Sequence, residues 1–527
     1  MSQKRERAIE AFLRLGTVSA AARELGLARG TVQHHIRRAN IAKPVAGGKK
    51  TGTVRERRVP LPTKGEVKRY LLTCAQNNTR VHSELWANLQ AFRQHLGAEL
   101  LVSQITYNIS AYTAQPGKPN APLADRQLWY DPVLESFTNN ARLELAPGLV
   151  WCGETNILPT AERPLRGFET YTGRKSGIFP HTKVAMDSIA SGKYEATKFN
   201  YTTGCVTQMS YIQRKAGQKA EFHHTYGALL VEVDARGRWF VRQLNALRDG
   251  SFQDLDVIVK DGKVTTGHRV EGINWGDIHE EQLDEQVREL AWGKGGMLDT
   301  LRPKFQFMHD SLSFHRRNHH DRADPHARFA KFVRGEESVR EELRSLARFL
   351  GHEAARDWCR TLVVNSNHDN ALERWLREAD YRADPPNAIL FLELQLKKYR
   401  AIADEDQGFH LLEWAMRQEG LTDEVQFLRE DESFLLCGEI ECGMHGHLGP
   451  DGTKGTPFGL ARMGRKANTG HTHKAGIIDG QYTAGTSSQL DLGYNKGPGS
   501  WSHSHIITYP NGKRAICTMW DGAWRAE

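Results

Sequence analysis

Cysteine is sparse and unpatterned in this 527-residue chain. The seven, Cys74, Cys152, Cys205, Cys359, Cys437, Cys442 and Cys517, are odd in number and contain no CxxC pair. That excludes a zinc ribbon and argues against a disulfide framework. Long apolar runs are also missing: no stretch approaches the roughly 20 residues that a bilayer-spanning helix requires, so no membrane partner is expected. The opening residues, MSQKRERAIEAFLRLG, interrupt every apolar stretch with charge and offer no signal-peptide h-region, which leads to the expectation of a cytoplasmic protein. No internal repeat is visible. What is present, 39% hydrophobic and 25% charged residues with 48 glycines, is the composition of a globular protein long enough for several domains.

Charge is unevenly spread. Residues 1–69 hold 17 Lys and Arg against 5 Asp and Glu, and the remainder 54 against 58, so the net charge of +8 comes from one end. A separable basic segment commonly meets a polyanion, nucleic acid being the simplest, although a solvated tail gives the same count. Within it, Ala8, Ile9, Phe12, Leu13 and Leu15 recur at helical spacing, a second short helix starts at Ser19, and a third carries Val32 and Ile36 inward. The segment TVSAAARELGLARGTVQHHIRRA resembles the helix-turn-helix family, with Leu25-Gly26-Leu27 at the turn. The resemblance implies that Arg29, Thr31, Gln33, His34 and Arg37 face DNA bases or phosphates; a plain three-helix packing module is the bland alternative. Residues 41–66 are rich in Gly, Pro and basic side chains without apolar periodicity and read as a flexible linker.

From residue 67 onward, RYLLTCAQ, HSELWANLQAFRQHLG and AELLVSQITYN predict a β-α-β unit, opening an α/β region over 67–269 in which Asp261-Gly262 marks a hairpin. In 270–527, four segments place metal-binding residue types just after predicted strands. They are Asp277-Ile278-His279, Asp310, Asn367-His368-Asp369, and the pair His445 with His471-Thr472-His473. Singly each is weak, since another D-x-H occurs at Asp324-Pro325-His326. Together they gain force, because open sheets build sites from loops at one end of their strands. Carboxylate and amide oxygens mixed with imidazoles suit two divalent cations such as Mn²⁺, Fe²⁺ or Zn²⁺ and disfavour Ca²⁺ or an all-oxygen Mg²⁺ site; Mn²⁺ is expected first, with Fe²⁺, Zn²⁺ or Mg²⁺ as alternatives. Two such ions about 3.5–4 Å apart clamp a phosphoryl group and draw a hydroxide from bridging water.

The ordered series D-x-H, Asp, N-H-D, His and G-H-T-H resembles the calcineurin-like metallophosphoesterase superfamily over about residues 270–527. It implies a two-sheet β-sandwich flanked by helices, an α/β (α+β) fold preceded by the mixed α/β region and the all-α head. It further implies that Asp277, His279 and His473 hold one metal, that Asn367, His445 and His471 hold the other, and that Asp310 bridges them. His368 would protonate the leaving oxygen or steady the phosphate, with Asp369 orienting its imidazole. His309 and Ser366 stand where the family has glycine, which puts those two turns in question, and His447 competes with His445. The stretches WCGETNILPTAERPL, WGDIHEE, FMHDSLSFHRRNHH and ECGMHGHLGP further resemble a phage-encoded group of this superfamily, the pre-early proteins tied to host-DNA degradation and DNA transfer. For that group a symmetric homo-oligomer is expected. Beyond Asp310, Arg317, Asn318 and His319 could bind flanking phosphates, or form a solvated basic loop. The function expected is a metal-dependent DNase. The alternatives are a phosphatase or phosphodiesterase of small phosphoesters, and a DNA-binding regulator with a non-catalytic hydrolase-like domain.

Overall fold

The computed structural model describes residues 3–15, 18–38, 45–46, 55–107, 129–319, 321 and 324–526. Residues 41–44 and 47–54 of the predicted linker lie outside them, as does His320. The head is three helices, α1 (Gln3–Leu15), α2 (Val18–Glu24) and α3 (Arg29–Arg38). Ala8, Ala11, Phe12, Ala20, Ala21, Ala22, Val32 and Ile36 close a small core of their own. Ser19, expected to cap α2, is already inside it.

The β-α-β reading holds. β1 (Val67–Gln76) and β2 (Glu99–Ile105) pair in parallel on either side of α4 (Ser83–Leu96), whose end is set by Gly97 at φ 61°. β3 (Gly227–Asp234) and β4 (Trp239–Asn245) complete a four-stranded sheet in the order β4-β3-β1-β2. Asp261 (φ 50°) and Gly262 (φ 70°) make the expected turn between two further strands, the left-handed pair that a two-residue hairpin demands.

The C-terminal half builds a six-stranded sheet from β5 (Gly272–Asn274), β6 (Phe305–Met308), β7 (Arg360–Val363), β8 (Gln426–Phe427), β9 (His503–Thr508) and β10 (Arg514–Met519), ordered β8-β7-β6-β5-β9-β10. The first four run parallel. Their side chains alternate between two cores, as a two-residue period requires. Met308, Val363 and Ile507 face the helices, whereas Phe307 and Leu362 meet Leu436 and Ile440 of a second, eleven-stranded sheet. That long sheet crosses the chain's midpoint. Strands Leu435–Leu436, Ile440–Glu441, Lys466–Thr469, Gln481–Thr483 and Gly476–Ile478 continue through Met186–Ile189 into strands that reach back to Arg57–Arg58. The architecture is mixed α/β, and the segments 67–269 and 270–527 share a sheet. Among the described residues, no helix is long and apolar enough to cross a membrane.

One buried charge network ties β3 to β4 and the strand after it. Arg242, only 3% exposed, reaches Asp254 through Nε (2.7 Å) and Nη2 (2.9 Å) and Glu232 through Nη1 (2.8 Å). Burial opposes the charge of Glu232, yet Arg242 and Arg69 outweigh it and hold the carboxyl below its ordinary value. Stability from this group is therefore complete above its unfolded pKa of about 4.3 and is lost as pH falls through the lower folded value. Arg242→Ala should cost about 3–5 kcal/mol in chemical denaturation, because two buried carboxylates lose their partner. In the wild type the denaturation midpoint should fall on acidification below about pH 4.3.

Candidate metal centre

The five motifs converge at one end of the two sheets. Asp277 and His279 follow β5, Asp310 follows β6, and Asn367 to Asp369 follow β7. His445 follows strand Ile440–Glu441, and His471 and His473 follow strand Lys466–Thr469, which is parallel to it. All lie beyond carboxyl ends of parallel strands, where a crevice opens in such sheets. The loops are locked to one another through the backbone: His279 N donates to Asp310 O (2.8 Å), Ile278 N to His309 O (2.9 Å) and Gly470 N to His445 O (2.8 Å).

Two overlapping groups result. Potential ligand atoms of Asp277, His279, Asp310 and His473 lie within 4.8 Å of one another, as do those of Asp310, His445 and His471. Asp310 belongs to both. His279 Nε2 and His473 Nε2 face each other at 3.2 Å, His473 Nε2 is 3.0 Å from Asp277 Oδ2, and His445 Nε2 is 3.2 Å from Asp310 Oδ2. Apart from Asn367 and His471, each of these side chains is buried. Imidazole nitrogens and carboxylates packed this closely away from water are a donor set fitted to divalent cations, and Nδ1 of His279, His445 and His473 is buried without a hydrogen-bond partner.

The backbone is bent to bring this about. His279 (φ 45°), Asp310 (φ 44°), His471 (φ 73°) and His473 (φ 55°) all occupy the left-handed region, where a residue with a Cβ costs of order 1–3 kcal/mol. The doubt over the missing glycines is thereby resolved, since the positive φ falls on Asp310 and neither His309 nor Ser366 needs one. Gly470 is required for another reason. A Cβ there would overlap Asp277 Oδ1, the oxygen that accepts from His471 N at 3.0 Å.

Charges within the cluster are strongly coupled. Burial works against the Asp277 carboxylate, but His445 and His473 hold it at about 2. Asp310 is likewise held well below the carboxylate range, by His445 and His368 against burial. Burial also opposes a proton on His445, yet Asp310 and Asp277 lift it to about 9. Burial and the neighbouring His368 push His279 down to about 3.

The remaining expectations divide. His445 joins the cluster, while His447 stands beside it with its ring 5.4 Å from that of His445. Asn367 is the one expected ligand that faces solvent, although the amide of the next residue, His368, points at Asp310 Oδ1 (3.4 Å). His368 packs its ring 4.5 Å from that of His279. Its imidazole is oriented by the carbonyl of Ser313, 2.9 Å from Nδ1, and not by Asp369 as expected. Asp369 is turned inward, where Oδ1 accepts from Leu312 N (3.3 Å) and burial together with the Asp310 charge lifts its carboxyl to about 7. Arg317 also departs from the expectation of a free phosphate fork. Nε and Nη2 close on the two oxygens of Asp384 at 2.8 and 2.7 Å, a planar match as good as phosphate. Arg316 is spent on Glu281 (2.6 Å). Asn318 and His319 lie in the same loop and have partners within the fold. In the head, Arg29, Thr31 and His34 are exposed on α3 and Gln33 half-buried; the Arg37 side chain lies outside the described residues.

Sequence reasoning missed the supports. Gly276 N donates to His505 Nδ1 (3.0 Å), which fixes the turn into Asp277. Asn468 donates to Asn274 Oδ1 (2.8 Å), linking the two sheets under the cluster. Alternating His503 and His505 in HSHIIT was the one available signal.

No protein-family model matches the chain, and no solved structure matches it. Protein A1 of Escherichia phage T5 is 40% identical over 500 residues, covering 92% of this chain and 87% of that protein. The chain belongs to the family of phage T5 protein A1. The Asp and His group described above could hold a metal ion.

Gly470→Ala should weaken Mn²⁺ binding about 10–100-fold in calorimetric titration by displacing the Asp277 carboxylate, with the circular dichroism spectrum unchanged. A cation must also displace the proton from His445. Affinity should therefore rise as pH climbs from 6 toward about 9, with protons released on binding.

Proposed function

We propose that the chain is a two-metal phosphodiester hydrolase of the calcineurin-like metallophosphoesterase type, a DNase acting on host DNA in the cytoplasm of a phage-infected bacterium. The observation that carries the reading is the Asp310 carboxylate, common to two groups of buried ligand atoms. Asp277, His279 and His473 would hold one cation with it, and His445 and His471 the other, with the exposed amide of Asn367 as a further oxygen. Bound there, the ions would polarise a phosphodiester and supply hydroxide at neutral pH.

The protein's own part is positional. Because a carbonyl only accepts, His368 donates from Nδ1 to Ser313 O and keeps Nε2 for the proton handed to the leaving oxygen. The loops of Ser313 and His368 are held on neighbouring parallel strands, β6 and β7. At the other end, the exposed polar face of α3 and the basic stretch after it would give salt-sensitive attachment to DNA. The reading would take the contact of the two sheets through Phe307, Leu362, Leu436 and Ile440 as the core of such a sandwich.

Plasmid and linear DNA should be cut by the full chain with Mn²⁺. Asp310→Ala should abolish cleavage, and His368→Ala should lower kcat by about 10²–10⁴. DNA left intact across Mn²⁺, Fe²⁺, Zn²⁺ and Mg²⁺ would overturn the reading. A small chromogenic phosphodiester cleaved far better than DNA would redirect it to small phosphoesters.

A further inference from the structure

Beside the metal centre, a cavity of about 570 Å³ opens between the end of the β9-β10 ribbon and the long sheet, within the range of small-ligand sites. Its walls are unusually aromatic. Trp501 lies just before β9 and Trp520 just after β10, and the antiparallel register His503 to Met519 brings both to the same end of the ribbon. Trp239 packs against Trp520 with ring centroids 5.7 Å apart, and Phe199 and Tyr201 are buried in the lining. Trp501 connects this cavity to the cluster, because its ring is 4.1 Å from that of His473. On the solvent side Tyr494, 62% exposed, stands 5.9 Å from Trp501.

Several polar groups of the cavity have partners within the fold. Arg174 pairs with Glu195 (2.9 Å), Lys198 Nζ donates to the carbonyls of Glu169 and Gly173, and Trp520 Nε1 donates to Trp239 O (2.9 Å). The cavity offers ring faces together with Lys198, Arg174 and Asp521 in its lining, and the aromatic faces suit a flat aromatic ligand.

We infer that this cavity is a nucleobase subsite, in which the base of a nucleotide whose phosphate lies at the metal centre stacks among Trp501, Trp520 and Trp239. The inference rests on the phosphodiesterase reading for the position of the phosphate. Stacking on such side chains is tolerant of base identity, so the subsite would favour nucleotides over other phosphoesters without imposing a sequence.

The test is equilibrium binding to the full chain loaded with Mn²⁺, by calorimetry, comparing deoxyadenosine monophosphate with deoxyribose 5-phosphate, which has the same phosphate and no base. The nucleotide should bind about tenfold more tightly or better, the worth of one stacked base. Trp520→Phe should keep that preference and Trp520→Ala should lose most of it; Trp239→Ala serves as a second variant should Trp520→Ala not fold. Equal affinities in the wild type, or a preference that survives in every folded alanine variant, would overturn the inference. A base preference in a protein that leaves DNA uncut would sink the hydrolase reading alone, and cleavage without any preference would sink the subsite alone.

Discussion

The structure turns on the cost of burying the Asp310 carboxylate beside Asp277. Two carboxylates removed from water repel each other, and each loses hydration worth several kcal/mol. One histidine answers this: Asp310 and Asp277 lift the imidazole of His445 to about 9 against its burial. Positive charge is thus demanded at this point whatever supplies it. Much of the surrounding architecture, from the parallel strands of the six-stranded sheet to the left-handed backbone at four ligand positions, holds these side chains together against their mutual repulsion.

Two scales of organisation meet there. Locally, backbone hydrogen bonds tie the loop of His279 to that of Asp310 and the loop of His445 to that of Gly470. Globally, the loops belong to two sheets, and Asn468 with Asn274 bolts one to the other beneath the cluster. Arg316 and Arg317 serve this second scale. By pairing with Glu281 and Asp384 they pin the loop after β6, which also carries Ser313, the anchor of His368.

Local patterns made the head, the β-α-β unit, the Asp261-Gly262 turn and the strand ends bearing Asp277, Asp310 and His471 legible in the sequence. Each depends on residues close together in the chain: a period, a cap, a turn pair. The partner of His368 was not legible, because Ser313 is 55 positions away and contributes a carbonyl, which no residue type advertises. The Arg317 cluster misled because a guanidinium fork reads the same whether its anion is a ligand or Asp384. The pairing of Met186 with Ile477 across the two regions was not legible either, since it leaves no mark in either segment.

That shared sheet also governs when the centre can come into being. Strand Met186–Ile189 waits on one side for Gly476–Ile478, so this one pairing is of very high contact order and must follow synthesis of most of the polypeptide. Until synthesis has passed His471 and His473 the chain lacks two of the clustered imidazoles, and until it has passed Met519 it lacks the complete β9-β10 ribbon. The Asp and His group therefore comes together only late in synthesis.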